Sequence, residues 1–196
     1  MKTQVLAAAL LCSLMAVSPL SAQQPLHWKA INGWEVGMEP ATGNGCFIES
    51  GYEDGTHLRL GFDFTDKQTL IYLSLGNAKW KSLEAGKDYP LEFQFDDNPA
   101  WKATAAAAER DNVKFLVVTT TDSNFAIDFS RKLGMRVTFM GRSIAALKLK
   151  SSSEAVREML DCQDAVRKYA SKPAPETPPT PSEPQRRNSA SDPFEL

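Results

Sequence analysis

Three cysteines and two histidines are the residues of this 196-residue chain best suited to covalent or metal chemistry, and their spacing limits what they can do. Cys12 lies in the apolar run near the N-terminus, which leaves Cys46 and Cys162 for the rest of the chain. A nucleophilic cysteine needs a base within hydrogen-bond reach. The only histidines are His27, near the start of the chain, and His57, inside a strand pattern. A structural zinc site needs four ligands, commonly as close pairs such as CxxC, and no such pair occurs. Two cysteines remaining in an exported chain therefore read as a disulfide, Cys46–Cys162. Paired carboxylates able to hydrolyse a glycoside would stand about 5–9 Å apart. Asp63 with Asp96, or Glu92 with Asp97, supply the residue types, but all fall on polar strand faces or in turns, where charge is ordinary. "DFTDKQ" (63–68) reads as a solvated turn, not a calcium loop. GxSxG, HExxH, Walker and GxGxxG patterns are absent.

The elements that would carry these residues are mostly strands. "WEVGME" (34–39) and "GCFIESGY" (45–52) flank the turn-rich "PATGN". Asp54-Gly55 then signals a hairpin. Leu58, Leu60, Phe62 and Phe64 alternate with His57, Arg59, Gly61 and Asp63, the period of a half-buried strand. "TLIYLSL" (69–75) is apolar on both sides and reads as central. In "DYPLEFQFDD", Tyr89, Leu91, Phe93 and Phe95 face inward, and Pro90 belongs near a strand start or on an edge. "WKATAAAA" (101–108) reads as a weak strand ending in a loop, and "VKFLVVTT" (113–120) as a clear strand by its β-branched content.

The period then changes. Phe125, Phe129 and Leu133, four apart, predict a short helix with Asp122 or Thr121 at its start and Gly134 at its end. Two strands follow around Gly141-Arg142. Ser151 with Glu154 predicts a capping box for a final helix to about Ala170. The buried stripe of that helix would be Ala155, Val156, Met159, Cys162 and Val166. This order predicts a mainly β chain with α: an antiparallel β-sandwich or open barrel with a short helix and a C-terminal flanking helix.

"MKTQVLAAALLCSLMAVSPLSAQQ" has the basic start, apolar centre and small-residue cleavage site of a secretory signal over residues 1–22. Its apolar run is too short to favour a permanent span, so no stable membrane span is expected in the mature protein. Leu11 stands where a lipoprotein signal wants a small residue before Cys12. Residues 23–170 read as one disulfide-stapled domain, large enough for its own core. Residues 171–196 hold seven of the twelve prolines and read as a disordered proline-rich tail that acts as a tether or spacer. Its "PPTP" is a weak match to segments that dock in aromatic-lined grooves. A net charge of −2 and no basic stripe disfavour nucleic acid as a partner.

Phe125, Phe129, Gly134, Val137, Gly141, Ser153, Ala155, Leu160 and Cys162, with "WEV" at 34–36 and Cys46 earlier, form a pattern that resembles exported proteobacterial β-sandwich proteins of unknown function. It is loosely similar to the invasion-associated locus B family. That resemblance implies a Gram-negative exported protein and no activity. Locus B proteins usually carry extra cysteines that this chain lacks, so their cell-entry association does not carry over.

Together these features predict a non-catalytic periplasmic or secreted binding or protein-interaction module, needing no cofactor or metal and working with another envelope protein. The alternative is an inhibitor or accessory protein of an exported hydrolase, with "GNAKWKSLEAGKDY" (76–89) as its active loop. Candidate binding residues are Trp80, flanked by Lys79 and Lys81, and Trp101. An indole exposed in a loop can stack on a sugar or peptide, although each also suits a cap over one end of the core.

Overall fold

A computed structural model describes residues 24–171, so the predicted signal segment and the proline-rich tail lie outside the described residues. Ten strands make one antiparallel sheet: β1 (Leu26–Ile31), β2 (Trp34–Glu39), β3 (Gly45–Gly51), β4 (Thr56–Asp63), β5 (Leu70–Asn77), β6 (Asp88–Phe95), β7 (Trp101–Arg110), β8 (Val113–Thr120), β9 (Gly134–Phe139) and β10 (Arg142–Lys148). Two α-helices complete the fold, α1 (Ser123–Arg131) and α2 (Ser152–Ala170). The order across the sheet is β1-β2-β3-β4-β5-β8-β7-β6-β9-β10, an open sheet of the expected class.

Alternation drives the strands. Leu58 and Leu60 of β4, Leu73 and Leu75 of β5, Leu116 and Val118 of β8, and Leu91, Phe93 and Phe95 of β6 all turn to one face and are buried. The sheet coils around that face. Trp34 of β2 donates its indole N–H to Lys150 O just past β10, at 2.9 Å, and the Tyr52 hydroxyl donates to Lys148 O at 3.0 Å. The two wings are thereby joined without closing a barrel. Between them lies α1: Phe125 meets Phe93, Phe95 and Trp101 edge-on, and Phe129 meets Phe95 and Trp34.

Several local expectations give way to tertiary pairing. β1, not anticipated from its sequence, forms as a largely exposed edge beside β2. The alanine-rich β7 runs ten residues, because ladders to β6 on one side and β8 on the other outweigh alanine's preference for helix. Leu133 is 75% exposed: α1 stops at Arg131, and the Asp96 carboxylate accepts the Leu133 and Gly134 amides, drawing the chain into β9 instead of ending a helix at Gly134. No capping box forms at α2. Ser151 takes a positive φ of 61° and makes no side-chain capping bond, while buried Ser152 donates to Phe129 O and so satisfies the end of α1.

α2 covers the β1–β3 wing. Ala155, Met159 and Cys162 are fully buried in its inner stripe, as read from spacing, with Val156 and Val166 partly buried beside them. Cys162 is bonded to Cys46 of β3. Gln163, on the same side, accepts the Cys46 amide at 2.7 Å and faces Asn44 O at 3.4 Å. β4 begins pairing with β3 only at Phe47, so Gln163 supplies Cys46 with the acceptor that the ladder lacks.

Two measurements test this joint. With a sequence separation of 116 between the cysteines, reduction or a Cys46→Ala/Cys162→Ala pair should cost about 4–5 kcal/mol by loop-closure entropy. Equal denaturation midpoints with and without reductant would contradict it. Gln163→Leu strands a buried amide and should cost about 1–3 kcal/mol with the disulfide intact.

Candidate functional site

The outward face of the central strands contains a concavity. Register places Glu49, Arg59, Ser74, Val117 and Ala106 in one row across β3, β4, β5, β8 and β7. His57, Gly76, Phe115 and Ala108 form the next row, and Phe47, Gly61, Tyr72 and Thr119 the one on its other side. Ser74 and Gly76 keep the floor low along β5. A Cβ on Gly76 would stand 2.4 Å from the Phe115 ring, and one on Gly61 2.8 Å from both the Tyr72 hydroxyl and Phe47, so only glycine lets these rings lie across the sheet. The resulting groove has a volume of about 520 Å³, within the range of small-ligand sites.

Its two walls differ in chemistry. One is apolar, built by Val113, Phe115 and Val117 of β8, which are only half-buried. The other is a charged network. The Arg59 Nε donates to Glu49 at 2.9 Å, Nη2 lies 2.7 Å from the same carboxylate oxygen, and Nη1 reaches Glu39 at 3.3 Å. The guanidinium also stacks 3.9 Å from the Phe47 ring centroid. Burial pulls the Arg59 guanidinium down, but the Glu49 carboxylate and the Tyr72 oxygen together outweigh it, and Arg59 is held above its ordinary value. Burial pushes the Tyr72 phenol up to about 12, against the opposing pull of Arg59. Four carboxylates (Glu39, Glu49, Asp63 and Glu109) line the groove against two guanidinium groups, Arg59 and Arg110, so its field is acidic.

The residues singled out by sequence do not converge on one site. Trp80 packs against the core, and its neighbour Lys79 donates to Asp54 O at 2.9 Å. Lys81 side chain is exposed, and its backbone carbonyl, like that of Leu83, is held by Lys114 Nζ. The Gly86 amide bonds to Ala107 O, so the 76–89 segment lies pinned along the body of the sheet. Trp101 donates its indole N–H to Asp128 of α1 at 3.0 Å and meets Phe125 edge-on, bordering a shallow depression with Lys102. Six residues of β7, about 24 Å of strand, lie between it and Ala108 at the groove.

Three of the four acids considered for catalysis have a local task, and Asp97 has none among the described residues. Asp63 accepts the Thr65 amide and hydroxyl, Asp96 starts β9, and Glu92 pairs with Lys102 across the strands. Among the described residues no three His, Cys, Asp or Glu side chains group to hold a metal ion, and no helix is long and apolar enough to cross a membrane. The groove escaped sequence reading because it draws on six strands. Its one local signal is the Ser74 and Gly76 alternation inside an otherwise bulky β5.

The fold defines a class of single-sheet, coiled antiparallel β proteins with helices packed inside and across one wing. Among solved structures it is similar to the crystal structure of invasion associated protein B from Bartonella henselae, with a TM-score of 0.52 and 10% sequence identity over 71% of this chain and 99% of that one. The motif resemblance to the locus B family is thus met at the level of fold. No protein-family profile matches the chain, and no curated protein matches it in sequence.

Tyr72 and Tyr52 supply a test of the burial. Burial, with Asp54 adding to it, also pushes Tyr52 up to about 12. Both phenols have folded values above the ordinary 10, so the stability they contribute is complete below pH 10 and lost as pH rises from 10 to about 12. Denaturant midpoints should fall through that window. Tyr72→Phe and Tyr52→Phe should each flatten the fall; phenolate absorbance showing every tyrosine ionised near pH 10 in the folded protein would contradict the assignment.

Proposed function

We propose that this protein is a non-catalytic binding module, and that the groove on the outer face of β4, β5 and β8 is its binding surface. The observation that carries this reading is the pairing of a half-buried apolar wall with an acid-rich wall across a low floor. An extended peptide segment bearing both basic and apolar side chains fits such a surface: leucine-like groups meet Val113, Phe115 and Val117, and cations meet Glu49, Asp63 and Glu109. Support for a binding role over a catalytic one comes from Arg59, which engages both Glu39 and Glu49 and leaves neither a free acid or base.

We further propose that the protein works outside the cytoplasm, in the periplasm or beyond, with another envelope protein as partner. The signal-like N-terminus supports this, and the Cys46–Cys162 bond is compatible with an oxidising compartment. The Bartonella protein is named as invasion associated; at 10% identity the two chains share the fold alone.

A fluorescein-labelled peptide of nine residues repeating arginine, proline and leucine is a suitable probe. It should bind with a Kd of about 1–100 μM by fluorescence anisotropy, weakening as salt rises. Ser74→Trp, which fills the floor, and Ala108→Trp, at an exposed rim position, should each weaken binding about tenfold or more with the thermal midpoint retained. Binding unchanged in both variants, or no binding to the wild type, overturns the groove as the site for this ligand class.

A further inference from the structure

We infer that the groove selects arginine over lysine in its peptide ligand, and that the ring of Phe115 is the platform on which the ligand guanidinium stacks. This rests on the groove reading above and deepens it, by naming the side chain the ligand must carry.

Phe115 differs from the two valines beside it in the apolar wall. Its partner across β5 is Gly76, and a Cβ there would stand 2.4 Å from two of the ring carbons and 3.3 Å from a third, so the ring lies over the glycine. Its partner across β7 is Ala108, which offers a single methyl group. Neither neighbour in the row rises above the ring. Phe115 is half-buried and lines the groove, so the ring surface turned away from Gly76 faces the ligand.

The protein already holds one guanidinium in this way. Phe47 lies between Gly37 and Gly61 in register, and Cβ atoms at those glycines would stand 2.7 and 2.8 Å from Phe47 side-chain atoms. Arg59 stacks on that ring 3.9 Å from its centroid, while Glu49 holds the same guanidinium at 2.7 Å. A ring laid on glycine, a guanidinium on the ring and a carboxylate beside it make one unit. Phe115 on Gly76 repeats the ring and the glycine, and Glu109, next to Ala108 along β7, lines the groove as the carboxylate. Among the described residues no cation stacks on Phe115, and Glu109 joins no ion pair. A ligand arginine completes the second unit.

The two basic side chains differ in how they meet such a surface. A guanidinium is planar and weakly hydrated, so it lies flat on the negative face of a ring and still points N–H donors at a carboxylate in its own plane. A lysine ammonium is a compact, strongly hydrated charge, and it gives up more water to make the same contact. Long-range attraction to the four groove carboxylates acts on both alike.

The test sets the arginine-proline-leucine nonapeptide described above against the same peptide with lysine at every arginine position, each binding the full chain. Wild type should hold the arginine peptide about fivefold or more tightly by fluorescence anisotropy. Phe115→Leu should bring the two affinities together by weakening the arginine peptide, and Phe115→Trp should keep or widen the preference. Thermal midpoints establish that each variant is folded. A readout needing no variant is the wild-type Phe115 ring resonances, which should move further at saturation with the arginine peptide than with the lysine peptide. Equal wild-type affinities for the two peptides, both lost in Ser74→Trp, overturn the inference and leave the groove reading intact. A preference undiminished in folded Phe115→Leu, or ring resonances that respond alike to both peptides, overturns Phe115 as its seat. Failure of both peptides to bind wild type overturns the groove reading for this ligand class, and the inference with it.

Discussion

An open ten-stranded sheet has two long faces, and its inner one is apolar from β2 to β10, so the structure depends on keeping water out of the seam between the two ends. The joint of α2 with β3 does this. The Cys46–Cys162 bond fixes the helix at one point, and the Gln163 side chain, accepting the Cys46 amide beside it, fixes its rotation. With both in place Met159 and Ala155 lie over the first wing, and Trp34 is left in contact with Phe129 and the chain after β10. Released, α2 would expose the faces of Val36 and Ile48, which the exposed edge strand β1 cannot cover.

The same helix pair explains how the sheet crosses its own middle. β5 and β8 are neighbours although three links apart in sequence, and β6 and β9 likewise. α1 fills the crossing from β8 to β9, and its two phenylalanines touch β6, β7 and β2 at once. A helix of nine residues has little stability in isolation. Here it is held by aromatic packing, by Asp122 accepting the Asn124 amide at its start, and by Ser152 of α2 at its end.

The groove is the outward consequence of that core. Because inward positions of β4, β5 and β8 are filled with leucine and valine, their partners on the other face are free to differ, and they do. β4 presents Arg59 and His57, β5 presents Ser74 and Gly76, and β8 presents three apolar residues. Arg59 is tied to Glu49, Glu39 and Phe47, so the charged wall is rigid and its shape is set before anything binds. Trp80 and Trp101, the most conspicuous aromatic residues outside the strands' interiors, are instead spent on packing and on one buried-side hydrogen bond.

Much of this is written in local pattern. Period-two alternation marks β4 and β6, turn residues mark the hairpins, and a stripe at helical spacing puts Cys162 on the buried side of α2, where Cys46 is its partner. These are readable because each depends on neighbours a few residues away and on a count of thiols. Tertiary structure decided the rest: that β1 is a strand, that the alanines of β7 extend through Arg110, that Ser151 leaves α2 uncapped while Ser152 bonds the end of α1, and that Gln163 faces the sheet. It also decided that Glu49, Arg59, Ser74, Phe115 and Val117 share one surface. Strand order and sheet coiling are set by contacts between residues far apart in the chain, and no periodicity records which outward faces will meet.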